Sequence, residues 1–131
     1  MKGVSHVKIE KLPDSELSVM LVLWSQPEPV KTSAILEMLN EDKDWTMSTL
    51  QTILSRLYNR GFVDVKTEKR LHFYSPKISE DAYREQETKS FLQKFYGNSC
   101  SRLFAALADS HRLNNDDIKE IEAIIENARE G

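Results

Sequence analysis

The segment Trp45-Thr-Met-Ser-Thr-Leu-Gln-Thr-Ile-Leu-Ser-Arg-Leu-Tyr-Asn-Arg-Gly61 constrains the fold of this chain more than any other. Leu50, Ile53, Leu54 and Leu57 recur at i, i+3, i+4 and i+7, which lines one side of a helix with branched hydrocarbon. Thr46 is placed to cap the helix start, and Gly61 can take the left-handed conformation just past its end. The opposite side reads Ser48, Thr49, Gln51, Thr52, Ser55, Arg56 and Asn59. A solvated helix face is ordinarily rich in Glu and Lys, which helices accommodate better than Ser, Thr and Asn. A requirement other than helix stability therefore selects this face.

Two shorter helices are expected before it. Asp14 or Ser15 can cap a first helix after Pro13, with Leu17, Met20, Leu21 and Trp24 on its inward face. Pro27 and Pro29 stop it, because they lack N–H donors and bias the residues before them away from helical geometry. A second helix from Thr32 to Asn40 turns Ile35, Leu36 and Leu39 inward and gives way to the polar run Asn40-Glu-Asp-Lys-Asp44. After Gly61, Phe62 to Lys66 and Leu71 to Ser75 alternate in the strand manner around Thr67-Glu-Lys-Arg70, and Pro76 ends the second strand. Three helices followed by a hairpin with a basic tip predict a winged helix-turn-helix, in which the third helix enters the DNA major groove and the wing touches the backbone.

Beyond residue 78 the pattern changes. A helix beginning at Ser79-Glu-Asp81 and ending at Gly97 carries few apolar residues before Phe91, Leu92 and Phe95. A second helix sets Cys100, Leu103, Phe104 and Leu107 on one face, and a third opens at Asn114-Asn-Asp-Asp117 and turns Ile118, Ile121 and Ile125 inward. So short a helical module has a marginal core and gains stability by oligomerising. The chain is thus expected to be mostly α with a small β-hairpin wing: residues 1–78 a DNA-binding winged helix, residues 79–131 a helical dimerisation region.

Charge supports this division. The net charge of −3 conceals a net of +1 over residues 1–78 and −4 over 79–131. Within 43–78, Lys43, Arg56, Arg60, Lys66, Lys69, Arg70 and Lys77 outnumber Asp44, Asp64 and Glu68. A cationic lobe beside an acidic tail suits a polyanionic partner.

Other chemistries find little support. One cysteine makes neither an internal disulfide nor a thiolate cage, and His6, His72 and His111 lack ligand spacing, so no metal or cofactor is expected. No Ser/His/Asp, Cys/His or paired-carboxylate set and no Gly-rich phosphate loop can be assembled, so no enzyme is expected. The apolar run Leu17 to Trp24 is far shorter than the roughly 20 residues of a membrane span, and the N-terminus lacks a signal-peptide core, which predicts a cytoplasmic protein without membrane insertion. Cys100 shares a face with leucines and phenylalanine and reads as a small buried hydrophobe. Trp24 and Trp45 read as core or helix-flanking anchors, and His72 as a wing surface residue.

The DNA-facing residues expected on this reading are Thr46, Ser48, Thr49, Gln51, Thr52, Ser55 and Arg56 on the third helix and Lys66, Lys69 and Arg70 on the wing. Gln51 is the sharpest of them, since its amide can bond N6 and N7 of one adenine together. Thr49 and Thr52 offer hydroxyls to bases or phosphate and methyls to a thymine. Arg56 suits either a phosphate or an internal acid, and the wing cations supply affinity and salt dependence rather than sequence choice. The alternative is a protein-interaction module that uses the same surface without sequence-specific DNA binding.

Several local patterns together resemble the penicillinase repressor family of BlaI/MecI/CopY-type winged-helix regulators over nearly the whole chain. Leu12-x3-Glu16-x2-Val19-Met20-x2-Leu23-Trp24 is similar to the family's first helix, and Trp45-Thr46-x2-Thr49-Leu50-x-Thr52-x-Leu54-x-Arg56-Leu57-x3-Gly61 to its recognition helix. Phe73-Tyr74-Ser75-Pro76 is similar to the end of its wing. Phe91-Leu92-x2-Phe95-Tyr96-Gly97 and Leu113-x4-Ile118-x2-Ile121 are similar to its dimerisation helices. The resemblance implies a homodimeric repressor on a dyad operator with TACA/TGTA-like half-sites, controlling a β-lactam-response or related gene and released by a membrane sensor-protease. Where antibiotic-resistance repressors carry Lys and Arg, this chain has Ser48 and Gln51, which implies a different base preference. The cysteine cluster of copper-responsive relatives is absent. The Asn-Phe bond cut in the antibiotic-responsive relatives corresponds to Ala106-Leu107, counted back from Leu113-Asn114-Asn115.

Overall fold

A computed structural model describes residues 9–131, so His6 and the start of the 1–78 module lie outside the described residues. The elements run α1 (Asp14–Trp24), β1 (Val30–Lys31), α2 (Thr32–Leu39), α3 (Met47–Asn59), β2 (Val63–Glu68), β3 (Leu71–Pro76), α4 (Glu80–Tyr96), α5 (Cys100–Asp109) and α6 (Asn115–Glu130). The chain divides into compact units at Glu87 and Thr88, inside α4.

In the first unit α1, α2 and α3 pack around one core with a three-stranded antiparallel sheet of order β1-β3-β2. This is a winged helix-turn-helix. α3 forms as its sequence dictates: Leu50, Ile53, Leu54 and Leu57 are buried, and the Thr46 hydroxyl accepts from the Thr49 N–H at 3.1 Å. Each of those leucines or isoleucines contributes about 1.5–3 kcal/mol by leaving water. Gly61 sits at φ +80°, where its lack of a Cβ removes the penalty of a left-handed residue.

α1 is rotated from its expected setting. Glu16, Val19, Met20 and Leu23 are buried, whereas Leu21 is 50% exposed and Leu17 and Trp24 are half-buried. From Leu17 to Trp24 all but Ser18 are apolar, so periodicity does not choose the inward face. Neither Asp14 nor Ser15 caps it; Pro13 occupies the cap position without a side-chain bond. Pro29 is followed by the unexpected β1, whose Val30 and Lys31 pair with Tyr74 and Phe73.

The wing is longer and its turn tighter than expected. Thr67 and Glu68 belong to β2, opposite His72 and Leu71, which leaves Lys69 and Arg70 as a two-residue turn. Both hold positive φ, 50° and 70°, as the turns that match strand twist require.

The first turns of α4 complete this core. Tyr83 is buried, its hydroxyl accepting from the Leu12 N–H at 2.9 Å, with its ring against Trp24 and Phe62. Burial pushes the Tyr83 hydroxyl above its ordinary pKa; the Leu12 hydrogen bond opposes this and Glu87 reinforces it. Trp24 Nε1 donates to the Ile78 carbonyl at 2.9 Å.

The second unit holds the rest of α4 with α5 and α6. Ser99 caps α5, and Asn114 with Asp117 forms the capping box expected at α6. Gly97 and Asn98 turn the chain out of α4 at φ 54° and 65°. No residue from 88 to 131 is buried in the single chain. Phe91, Phe95, Phe104, Ile118 and Ile125 are exposed, and Leu92, Leu103, Leu107 and Ile121 half-buried. Cys100 is exposed too, contrary to its expected burial, because it opens α5 beside the polar Ser99 cap.

Candidate nucleic-acid interface

The polar side of α3 lies open. Ser48, Thr49, Gln51, Thr52, Ser55, Arg56 and Asn59 are all exposed, directly opposite the buried leucines. Their hydrogen bonds divide them. The Thr46 hydroxyl donates to Thr49 Oγ1 at 3.1 Å, and the Thr52 hydroxyl donates to the Ser48 carbonyl at 3.1 Å. Thr52 has thereby spent its proton within the helix and presents its methyl and an acceptor lone pair outward.

Arg56 makes no ion pair among the described residues. The internal acid it could have met is taken by Arg60, whose Nη1 lies 2.7 Å from the buried Glu16 Oε1. Arg56 instead lines an open cleft of ≈ 380 Å³ together with Ser15, Trp45, Ser48, Thr49 and Thr52. Trp45 is half-buried against the core and carries the Lys43 ammonium 5.6 Å from its ring centroid. Sequence reasoning placed Trp45 as an anchor but missed Ser15 at this cleft. Ser15 arrives there through α1–α3 packing, which local periodicity does not encode.

On the wing, Lys66, Lys69 and Arg70 are exposed. Lys66 Nζ sits 3.2 Å from Glu68 Oε1, a solvent-exposed pair worth little, while Lys69 and Arg70 project from the turn. His72 is a surface residue as expected, its Nδ1 2.9 Å from the Thr67 hydroxyl. Between α3 and the wing runs a groove of ≈ 250 Å³ bordered by Ser55, Tyr58, Asn59 and Tyr74. Burial raises the Tyr74 pKa above its ordinary value. Among the described residues no group of His, Cys, Asp and Glu is arranged to hold a metal ion, and no helix is long and apolar enough to cross a membrane.

This surface combines a row of short hydrogen-bonding side chains, the Arg56 guanidinium and a cationic hairpin, the groups that read base edges and hold phosphates. Residues 12–127 match the profile of the penicillinase repressor family. The chain is similar to the penicillinase repressor of Bacillus licheniformis, at 31% identity over 119 residues, 91% of this chain and 92% of that protein. It is also similar to the methicillin resistance regulatory protein MecI of Staphylococcus aureus strain N315, at 26% identity over 118 residues, 90% of this chain and 95% of that protein. Among solved structures, the monomeric form of Bacillus licheniformis BlaI in complex with the blaP half-operator aligns at a TM-score of 0.50 and 34% identity, covering 58% of this chain and 92% of that one.

Proposed function

The chain belongs to the penicillinase repressor family, and from that premise we propose that it is a homodimeric transcriptional repressor that binds a dyad operator in the major groove. The observation that carries this reading is the exposed face of α3: Ser48, Gln51, Ser55 and Arg56 point outward, and nothing within the described residues explains their selection. Gln51 reads one adenine, and Thr52 meets a thymine with its methyl. Thr46 and Thr49 lie at the helix start where the backbone phosphates pass. Arg56, Lys66, Lys69 and Arg70 bind phosphates and set affinity. The BlaI monomer bound to a half-operator supports assigning one half-site to each protomer.

Dimerisation falls to the second unit. Phe91, Leu92, Phe95, Leu103, Phe104, Leu107, Ile118, Ile121 and Ile125 bury one another across the pair, which is where their unburied apolar surface finds partners. The repressor acts in the cytoplasm on a β-lactam-response or related gene. Release is by a sensor protease cutting within 101–109, where Ala106-Leu107 stands at the aligned bond with Ala and Leu in place of the Asn and Phe of the antibiotic-responsive relatives. Ala106 and Leu107 are half-buried in the middle of α5, so the helix must open locally before a protease can engage the bond.

The test is an electrophoretic shift with the DNA upstream of the chain's own gene across a salt series. A shift that weakens steeply as salt rises supports a repressor contacting several phosphates. Absence of any shift replaces this reading with a protein-interaction module.

A further inference from the structure

Between α2 and α3 the chain passes through Glu41, Asp42, Lys43 and Asp44, four charged residues in succession with no apolar side chain to seat them. The excursion is nonetheless closed. Asn40 Nδ2 donates to the Trp45 carbonyl and Asn40 Oδ1 accepts from the Trp45 N–H, both at 2.9 Å. One side-chain amide thus satisfies both main-chain groups of a single residue, imitating the paired bonds of strand neighbours and fixing the peptide's distance and orientation together. Of the other side chains, aspartate offers only acceptors, and glutamine is one methylene too long for the same ring.

What the clamp holds is the start of α3. Trp45 immediately precedes Thr46, the cap residue, and its indole lines the cleft beside Ser48, Thr49 and Thr52. The Lys43 ammonium rests over that indole, 5.6 Å from its centroid, so the clamp also sets where this cation lies. Asn40 itself is exposed and outside the hydrophobic core, which is anchored on either side by the buried Leu39 and Leu50. Removing the amide therefore frees the turn while leaving the packed helices in place.

We propose that Asn40 is a positioning residue for operator recognition: through the Trp45 backbone it fixes where α3 begins and where Lys43 lies, without touching DNA. This rests on the repressor reading, and the two are separable by experiment. Full-length Asn40→Ala and Asn40→Asp are compared with the wild type by amide hydrogen exchange without DNA, by thermal melting, and by binding to the upstream fragment and to random duplex.

In Asn40→Ala the Trp45 N–H is expected to exchange at least about tenfold faster, and the ratio of upstream-fragment to random-duplex affinity to fall by about tenfold. The melting transition should remain cooperative and the salt slope unchanged. Asn40→Asp keeps the acceptor for the Trp45 N–H and loses the donor, so it should fall between the two. Unchanged Trp45 exchange overturns the clamp, as does an equal loss of affinity for both DNAs, which would make Asn40 a phosphate contact. A wild-type chain that shifts no DNA removes the repressor reading, and the exchange result alone then decides whether Asn40 fixes the turn.

Discussion

Arg60 Nη1 lies 2.7 Å from Glu16 Oε1, tying the end of α3 to the first turn of α1 through a carboxylate whose side chain is 2% exposed. Glu16 is the buried charged residue among those described, and Arg60, which follows Asn59 as the helix cap, remains partly in water. The pair therefore couples a dehydrated acid to a cation that keeps some of its hydration. Breaking such a pair from the exposed side leaves the dehydrated Glu16 carboxylate without its cation. Arg60→Ala should lower stability by about 2–4 kcal/mol, at the low side of fully buried pairs because the carboxylate recovers some hydration through the gap. Urea unfolding checks it: a loss of less than about 0.5 kcal/mol would show that α1 and α3 are held by hydrocarbon alone.

Gln51 sits on the opposite side of α3 from Leu50, Ile53, Leu54 and Leu57, so its truncation leaves the core untouched. Gln51→Ala should cost about 1–3 kcal/mol of affinity for the upstream fragment if the amide reads one adenine bidentately. Binding to random duplex should hardly change. Equal losses on both DNAs would reject base readout at this position.

The wing turn makes opposite predictions for stability and binding. Lys69 and Arg70 occupy left-handed conformations that cost a non-glycine residue about 1–2 kcal/mol each. Arg70→Gly removes that strain and should raise stability by up to about 1 kcal/mol, part of the gain being lost to the freer unfolded chain. On the proposed function the same substitution also removes a phosphate-binding cation, so it should weaken upstream and random DNA alike and reduce the salt slope by about one unit. A more stable variant with an unaltered slope would take the turn out of the interface.

These residues also show which parts of the molecule could be read from sequence. α3 was legible because its apolar and polar residues segregate cleanly, so one helical period fixes both its inward face and its outward one. α1 was not: with Leu21, Val22 and Leu23 in succession, the inward side is decided by which residues meet α2 and α3. Glu16 and Arg60 are 44 positions apart, and nothing local marks them as partners. β1 escaped because its residues Val30 and Lys31 gain strand character only by pairing with β3. The tight turn escaped because Lys69-Arg70 lacks the Gly or Asn that normally announces positive φ. Asn40 stands after the last apolar position of α2, where an asparagine reads as an ordinary helix end.

Tyr83 and Tyr74 set an alkaline limit to stability. Burial raises both hydroxyl pKa values in the folded chain above the ordinary tyrosine value of about 10. The folded state then holds these protons more tightly than the unfolded state does. Their contribution is fully present below about pH 10 and is lost as pH climbs through the raised folded values. Tyr83→Phe should start from a lower stability, having left the Leu12 N–H without its acceptor, and should lose less on going from neutral to strongly alkaline pH. Urea midpoints measured across that range test it; identical alkaline slopes in the variant and the wild type would mean that another group governs the loss.

The division inside α4 gives the last expectation. Because Tyr83 is part of the N-terminal core, a fragment ending at Glu87 keeps the bond to Leu12 and the stack with Trp24, whereas one ending at residue 78 loses both. The longer fragment should fold cooperatively, sediment as a monomer and bind a half-site weakly; the shorter should be measurably less stable. Full-length chain should sediment as a dimer at micromolar concentration, since no residue from 88 to 131 is fully buried in the single chain. Leu107→Asp places a charge on the α5 face that also bears Leu103, and it should drive the full chain toward monomer. Operator affinity should then fall by about 10²-fold or more, as two linked half-site contacts become independent. Monomeric sedimentation of the wild-type chain, or full operator affinity in a monomeric Leu107→Asp, would mean that a single winged helix suffices for binding.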